Sequence, residues 1–342
     1  MPRQRCGIPL SDPLQSTKGT LRVLAYVIRR VLILIPMAIA ISFLIYVALD
    51  ATPGDAVSFM LSPEQMSGVS PERLAELRTA LGLDQPVFIR YWAWLLGLLQ
   101  GNFGYTLTGG VPIADLLARR IPATLELAAV ALLFSTIIGS ILGIVSALRR
   151  GSPTDNALTV IGMVGVSIPE FFFGLVAILV FALNLGWLPV GGRSLPQYIT
   201  FWDRLPHLVM PALVLSIMMT AGVMRYARAA MLDALSKDFI KTARSKGLPE
   251  WRVNLLHGFR VALTPVVVLV GFRLPALIGG SVIVEQVFQW PGVGSLFVLS
   301  VRNQDYPTVM AIGLTSVMTV LIVSVIIDVL TAIIDPRVRL GN

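Results

Sequence analysis

Six stretches of this chain are long and apolar enough to cross a lipid bilayer, and nothing else constrains its fold as tightly. A spanning helix needs about 20 apolar residues to cover about 30 Å of hydrocarbon. Residues 31–49 and 127–148 carry no charge at all. The third stretch, 161–185, holds one acid, Glu170. The fourth is 208–224, and the fifth, 265–287, holds Arg273 and Glu285. The sixth, 307–327, is followed by Asp328. Runs of this length suit helices, whereas a barrel would show short alternating strands. Charged residues are only 13% of the chain, too few to solvate an aqueous surface that usually needs about 25%. The expectation is an all-α polytopic membrane protein with six transmembrane helices. Soluble globular, disordered and collagen-like classes are excluded.

Lys and Arg in the flanks orient such a chain. Eighteen fall before span one, after spans two and four, and after span six. Eight fall on the other side, mostly in one long segment. Both termini are therefore expected in the cytoplasm, and the net charge of +8 reads as topology rather than nucleic-acid binding. The expected organisation has four parts: a polar, unstructured cytoplasmic tail over 1–24, a first membrane helix over 25–50, an external segment over 51–122 with short interfacial helices, and a core over 123–342. That core holds five helices and a cytoplasmic loop over 225–263. The first apolar run exceeds the 7–15 residues of a signal-peptide core, so it reads as an uncleaved helix.

In the external segment, Ser70-Pro71-Glu72 is a helix start and Gly82 a stop. Residues 86–100 carry Tyr91, Trp92 and Trp94 among leucines. They read as a helix on the bilayer surface or as a docking face. The loop 225–263 has helical periodicity, with Phe239, Ile240 and Ala243 able to share a face and Gly247 as its stop. Two readings stay open: packing on its own bundle or on lipid, and insertion into a cytoplasmic protein.

Enzyme chemistry is missing. No Gly-Lys pair exists, so there is no Walker A loop, and there is neither a Gly-x-Ser-x-Gly elbow nor a His-Glu-x-x-His pair. One cysteine (Cys6) and two histidines (His207, His257), the latter expected on opposite sides of the membrane, make no metal site. The intramembrane ionisable residues are Glu170, Arg273 and Glu285. A charge in a helix centre costs about 2.5–3.5 kcal/mol on insertion scales, so each is either satisfied within the bundle or faces a water path. Arg273 and Glu285 stand about 18 Å apart along a straight helix and cannot pair. Glu285 is expected near the outer interface. Pro169, before Glu170, can kink its helix. Gly279-Gly280-Ser281 permits close helix approach or a flexible gate.

Several stretches resemble the permease subunits of bacterial ABC importers for dipeptides, oligopeptides and nickel. They include Pro53-Gly54-Asp55, 81–86, Gly101-Asn102-Phe103-Gly104, 120–126, Ser167-Ile168-Pro169 and 185–189. Further on come 242–247, 287–294, Asp305-Tyr306-Pro307 and Asp335-Pro336-Arg337-Val338. They keep the family's order over nearly all the chain after residue 25, and the long external segment is similar to the B-type subunit. The resemblance implies a type I ABC importer permease fold in the bacterial inner membrane. It also implies a second homologous permease, one or two cytoplasmic ATPase subunits that carry ATP and Mg²⁺, and an external solute-binding protein. No cofactor is expected on this chain and no catalytic residue. Asp238, Thr242, Ala243, Lys246 and Gly247 are implied to form the ATPase-coupling segment, although Lys241-Thr242 stand where the general pattern has an acid and an alanine. Asp305 is a candidate contact for the binding protein. From polarity, size and span alone, the candidate path residues are Ser167, Phe171, Met218, Met219, Arg273, Ser281 and Glu285. The rival function is a self-sufficient, gradient-driven carrier or channel, with Glu170 and Glu285 as proton sites.

Overall fold

The computed structural model describes residues 13–51, 70–80, 84–107, 109–193 and 200–334. Pro53-Gly54-Asp55, Gly82, residues 1–12 and the stretch 335–338 lie outside the described residues. The described chain is almost wholly helical. Five of its helices are long and apolar enough to cross a membrane, and a sharply bent pair makes a sixth where it is counted as one span.

Helix α1 (Pro13–Asp50) is longer than expected. Residues 13–24, anticipated as part of an unstructured tail, are helical. Once the apolar stretch has nucleated a helix, adding good formers such as Leu, Arg and Ala costs little, and Pro13 suits the first turn. Helix α2 (Pro71–Ala80) starts where Ser70 predicts, with the Arg73 N–H donating to Ser70 Oγ at 3.3 Å. Helix α3 (Val87–Leu99) carries the aromatic run. It packs on α1 through Tyr91, which is 1% exposed, donates to the Ile39 carbonyl at 3.0 Å and lies edge-on to Phe43 and Tyr46. Arg90 pairs with Asp50 at 2.8 Å. The outward residues Phe88, Leu96 and Leu99 remain exposed.

The centre of the bundle is α4 (Ile113–Leu148) crossing α7 (Phe201–Ser236). Gly139 and Gly143 on α4 lie against Val223, Ala227 and backbone of α7, where a Cβ would collide. Small residues are what allow two helices to approach this closely in lipid, where van der Waals packing drives association. Both helices overrun their charge-free segments. Helix α4 begins nine residues before the boundary expected at 122, and α7 carries Arg225 and Arg228 into the region read as loop. Hydropathy marks only the part of a helix that meets lipid, and ends that meet water or protein can be charged.

The third span is two helices, α5 (Pro153–Ser167) and α6 (Glu170–Ala177), the latter continued by a π-helical segment Ile178–Asn184. They meet at 98°. Pro169 supplies no N–H and pushes Ile168 to an extended conformation (φ −92°, ψ 132°), so the helix ends there. Between the bent pair and α7 lies an apolar recess of about 800 Å³.

A short helix α8 (Asp238–Ser245) follows α7. The chain then rises through Glu250–Arg252 and the π-helical Val253–Phe259 into α9 (Arg260–Gly280). The fifth span therefore starts at Glu250, well before the expected 265. Helices α10 (Val282–Val287) and α11 (Val293–Arg302) form a compact outer corner. Helix α12 (Tyr306–Ile334) closes the bundle against α1 and α9.

Candidate functional site

The segment expected to couple to ATPases is built on one face of α8. Ile240 and Ala243 are buried against Val253, Leu235 and Leu248, so the apolar stripe packs on the chain's own scaffold. Phe239, grouped with them by spacing, instead turns outward and is 41% exposed, as is Trp251 nearby in sequence at 57%. Gly247 adopts φ +73°, a conformation L side chains rarely take. Its N–H donates to the Arg244 carbonyl at 2.9 Å, and the Leu248 N–H reaches the Ala243 carbonyl at 3.4 Å. This is a Schellman cap with its hydrophobic contact, Leu248 on Ala243. Lys246 occupies the cap position. Asp238 opens the helix, accepts from Lys241 at 2.8 Å and, through its carbonyl, from the Thr242 hydroxyl at 3.0 Å. Arg244 forms a fork with Glu250 (2.8 and 3.2 Å), which holds the guanidinium above its ordinary pKa. The result is a stiff, highly charged knob with a free aromatic ring.

Ten residues before that knob, Arg228 of α7 reaches Asp155 at the start of α5, with Nε at 2.9 Å and Nη2 at 2.8 Å. Asp155 also accepts from Ser146 Oγ of α4 (2.5 Å) and the Gly151 N–H (2.9 Å), and is 4% exposed. Three helices are thereby tied at one point by charge-assisted bonds. Sequence reasoning missed this clamp. Ser152-Pro153-x-Asp155 signals a helix start, and Ser152 does cap α5, but the reach to Arg228 spans 73 residues.

At the outer corner the buried group is Glu285, with no exposed surface rather than at an interface. Thr124 Oγ1 of α4 and Ser281 Oγ donate to Oε1 at 2.8 and 2.9 Å, and the Ser295 N–H donates to Oε2 at 2.8 Å. Thr124 Oγ1 in turn accepts the Val293 N–H at 2.8 Å. The lid over this carboxylate is the 287–294 stretch. Gln289 adopts φ +50°, rare for a residue with a side chain. That turn buries Trp290, whose indole N–H donates to the Ala123 carbonyl at 2.8 Å. Gly292 and Gly294 lie directly on the carboxylate, and a Cβ at Gly292 would overlap it. A further pair, Arg193 on Glu126 at 2.6 Å, locks the 185–193 turn to α4.

The remaining intramembrane charges meet in a different setting. Glu170, at the start of α6, and Arg273, on α9, line one cavity of about 330 Å³ with Met218, Met219 and Gly222 of α7. Arg273 lays its guanidinium across Gly222, where any side chain would collide with it. Of the candidate path residues, Met218, Met219 and Arg273 therefore come together. Ser167 and Phe171 flank the bend beside Glu170, with Ser167 Oγ donating to the Met163 carbonyl and Phe171 47% exposed. Ser281 and Glu285 belong to the buried corner instead. Asp305 is 3% exposed and caps α12, its oxygens accepting from the Thr308 N–H (3.3 Å) and Oγ1 (2.9 Å). His207 Nδ1 lies 2.9 Å from the Gly191 carbonyl. Among the described residues no group of three His, Cys, Asp or Glu could hold a metal ion.

Comparison with known proteins bears on this arrangement. Residues 139–340 match the family described as binding-protein-dependent transport system inner membrane component, and 23–128 match its N-terminal region. The oligopeptide transport system permease protein AppB of Bacillus subtilis is 42% identical over 317 residues, covering 92% of this chain and 99% of the relative. A putative peptide permease of Brucella ovis is 39% identical over 93% of this chain and 99% of its own length. The glutathione transport system permease protein GsiC of Escherichia coli K12 is 37% identical with the same coverage. Among solved structures, an inward-facing form of the MetNI methionine ABC transporter matches with a TM-score of 0.55 at 17% identity. It covers 66% of this chain and 98% of that one, and at this identity it supports the fold alone.

Proposed function

The chain belongs to the family of binding-protein-dependent transport system inner membrane components, and from that premise we propose that it forms half of an ATP-driven peptide path. It is a multi-pass inner membrane permease subunit of an ABC importer. The observation that carries the cargo class is the match to relatives named oligopeptide, peptide and glutathione permeases over 92–93% of the chain.

In this reading a second, similar permease supplies the other half of the path. One or two cytoplasmic ATPases bind ATP and Mg²⁺, and an external solute-binding protein delivers cargo. Both termini are cytoplasmic, as the Lys and Arg asymmetry favours. The capped helix α8 is the coupling element. Its rigid Gly247 turn and outward Phe239 suit a knob that a partner groove grips from below. When the ATPases close, α8 moves with them. The Arg228–Asp155 clamp passes that movement from α7 to α5, above which the chain bends at Pro169. Rocking of one packed bundle against its neighbour then opens the path, the general device of alternating access. This chain holds no Walker A loop, so the driving energy is the partners'.

Gentle detergent purification from native membranes, with mass spectrometry of the accompanying proteins, tests the reading. A second six-span permease plus ATPase subunits is the expected outcome. A homo-oligomer with no ATPase would contradict it and return the gradient-driven carrier to first place.

A further inference from the structure

We propose that the cavity holding Arg273 and Glu170 is a station for the ends of a peptide in transit, with Arg273 taking the α-carboxylate and Glu170 the ammonium group. The proposal rests on the peptide-importer reading and deepens it.

Glu170 opens the second half of the bent pair and Arg273 sits on α9 two residues past the end of the apolar span at Gly271, and both line one cavity of about 330 Å³. Among the described residues neither has an ion-pair or hydrogen-bond partner, while Glu285, Asp155 and Glu126 are all bonded by neighbours. An intramembrane charge without an internal partner faces a water path or a ligand, because lipid solvates it poorly. The guanidinium fork matches a carboxylate through two parallel bonds, a fit that a point charge lacks. Gly222 lets that fork lie flat in the cavity, since any side chain there would displace it. Arg225 lines the same cavity, so its balance is positive and the carboxylate is the end more firmly held. Glu170, on a different helix, offers the opposite charge. Zwitterionic peptides carry this pair of groups whatever their side chains. Met218 and Met219 add flexible, polarizable surface to a wall that Val166, Leu215 and Leu277 complete. The volume lies at the small end of ligand cavities, about 300–1,000 Å³, and suits part of a peptide while the second permease encloses the rest.

The test uses the whole importer, purified as a complex, reconstituted in vesicles and supplied with saturating binding protein. Trialanine and trialanine amide are the probes, with their binding-protein affinities measured first and rates compared only at full occupancy. The wild-type complex should move the free carboxylate faster by about tenfold, the value of one charged hydrogen bond. Arg273→Gln should remove that preference and leave both forms at the amide's rate. Arg273→Lys should retain part of it, and Gly222→Ala, which pushes the guanidinium aside, should behave like Arg273→Gln. Should Arg273→Gln fail to assemble, the Lys and Gly222 variants decide alone. Equal slowing of both probes, or no change in either, would overturn the station while leaving peptide cargo in place. A wild-type complex whose ATPase responds to the binding protein but which carries neither probe would overturn the cargo reading and the station together.

Discussion

Glu285 and Arg273 stand twelve residues apart in one stretch of sequence, yet their surroundings differ in kind. Glu285 is enclosed, its oxygens accepting from Thr124, Ser281 and the Ser295 N–H, with two glycines pressed against it. Arg273 lies in an open cavity across Gly222, facing Met218, Met219 and Glu170. The first is a charge used as a knot between α4, α10 and α11. The second is a charge with no bonding partner among the described residues. Intramembrane ionisable residues thus divide by satisfaction, and on the reading proposed above the bonded one serves architecture and the unbonded one transport.

Variants can break that division. The largest loss is expected from Glu285→Ala, which strands three buried donors at about 1–3 kcal/mol each. Assembled complex, measured by size-exclusion chromatography of a fluorescent fusion, should fall at least about tenfold. Near-normal assembly would show that the knot is dispensable. Gly292→Ala attacks the same knot from outside, since its methyl group overlaps the carboxylate. Overpacking of this kind typically costs about 1–3 kcal/mol, so a smaller drop of about fivefold is expected. Arg228→Lys comes next. It keeps the charge but loses the two-point grip on Asp155, and should reduce uptake per ATP hydrolysed while assembly changes little. Unchanged coupling would confine the clamp to a structural role. The smallest effect on assembly is expected for Gly247→Val. A side chain at φ +73° costs about 1–2 kcal/mol locally, so α8 loosens, and uptake falls with the complex still assembled. Normal uptake would remove α8 from the coupling path.

Much of this was legible in the sequence. Apolar runs marked the spans, the fifth only roughly, Ser70 and Gly247 marked a start and a stop, and Pro169 announced the break between α5 and α6. The lengths of α4, α7 and the fifth span were not legible, because hydropathy is silent where a helix leaves lipid. The outward turn of Phe239 was hidden by a periodicity that allowed it on the buried face. Glu285 and Arg273 looked alike because their difference lies in partners 161 residues away, as with Thr124, or in a glycine on another helix. Trp290, Gly292 and Gly294 sit in a stretch noticed only for its resemblance, and their work of sealing Glu285 appears only in three dimensions.

The most direct measurement sets Glu285→Gln beside Arg273→Gln and records two quantities for each: the amount of assembled complex and the peptide uptake rate per complex. Glutamine at 285 turns one acceptor oxygen into a donor facing the Thr124 and Ser281 hydroxyls or the Ser295 N–H, so its loss should fall on assembly. For Arg273→Gln, assembly should match wild type and uptake per complex should drop. The reverse pattern, with Arg273→Gln failing to assemble and Glu285→Gln assembling normally but transporting poorly, would contradict the division on which this account rests.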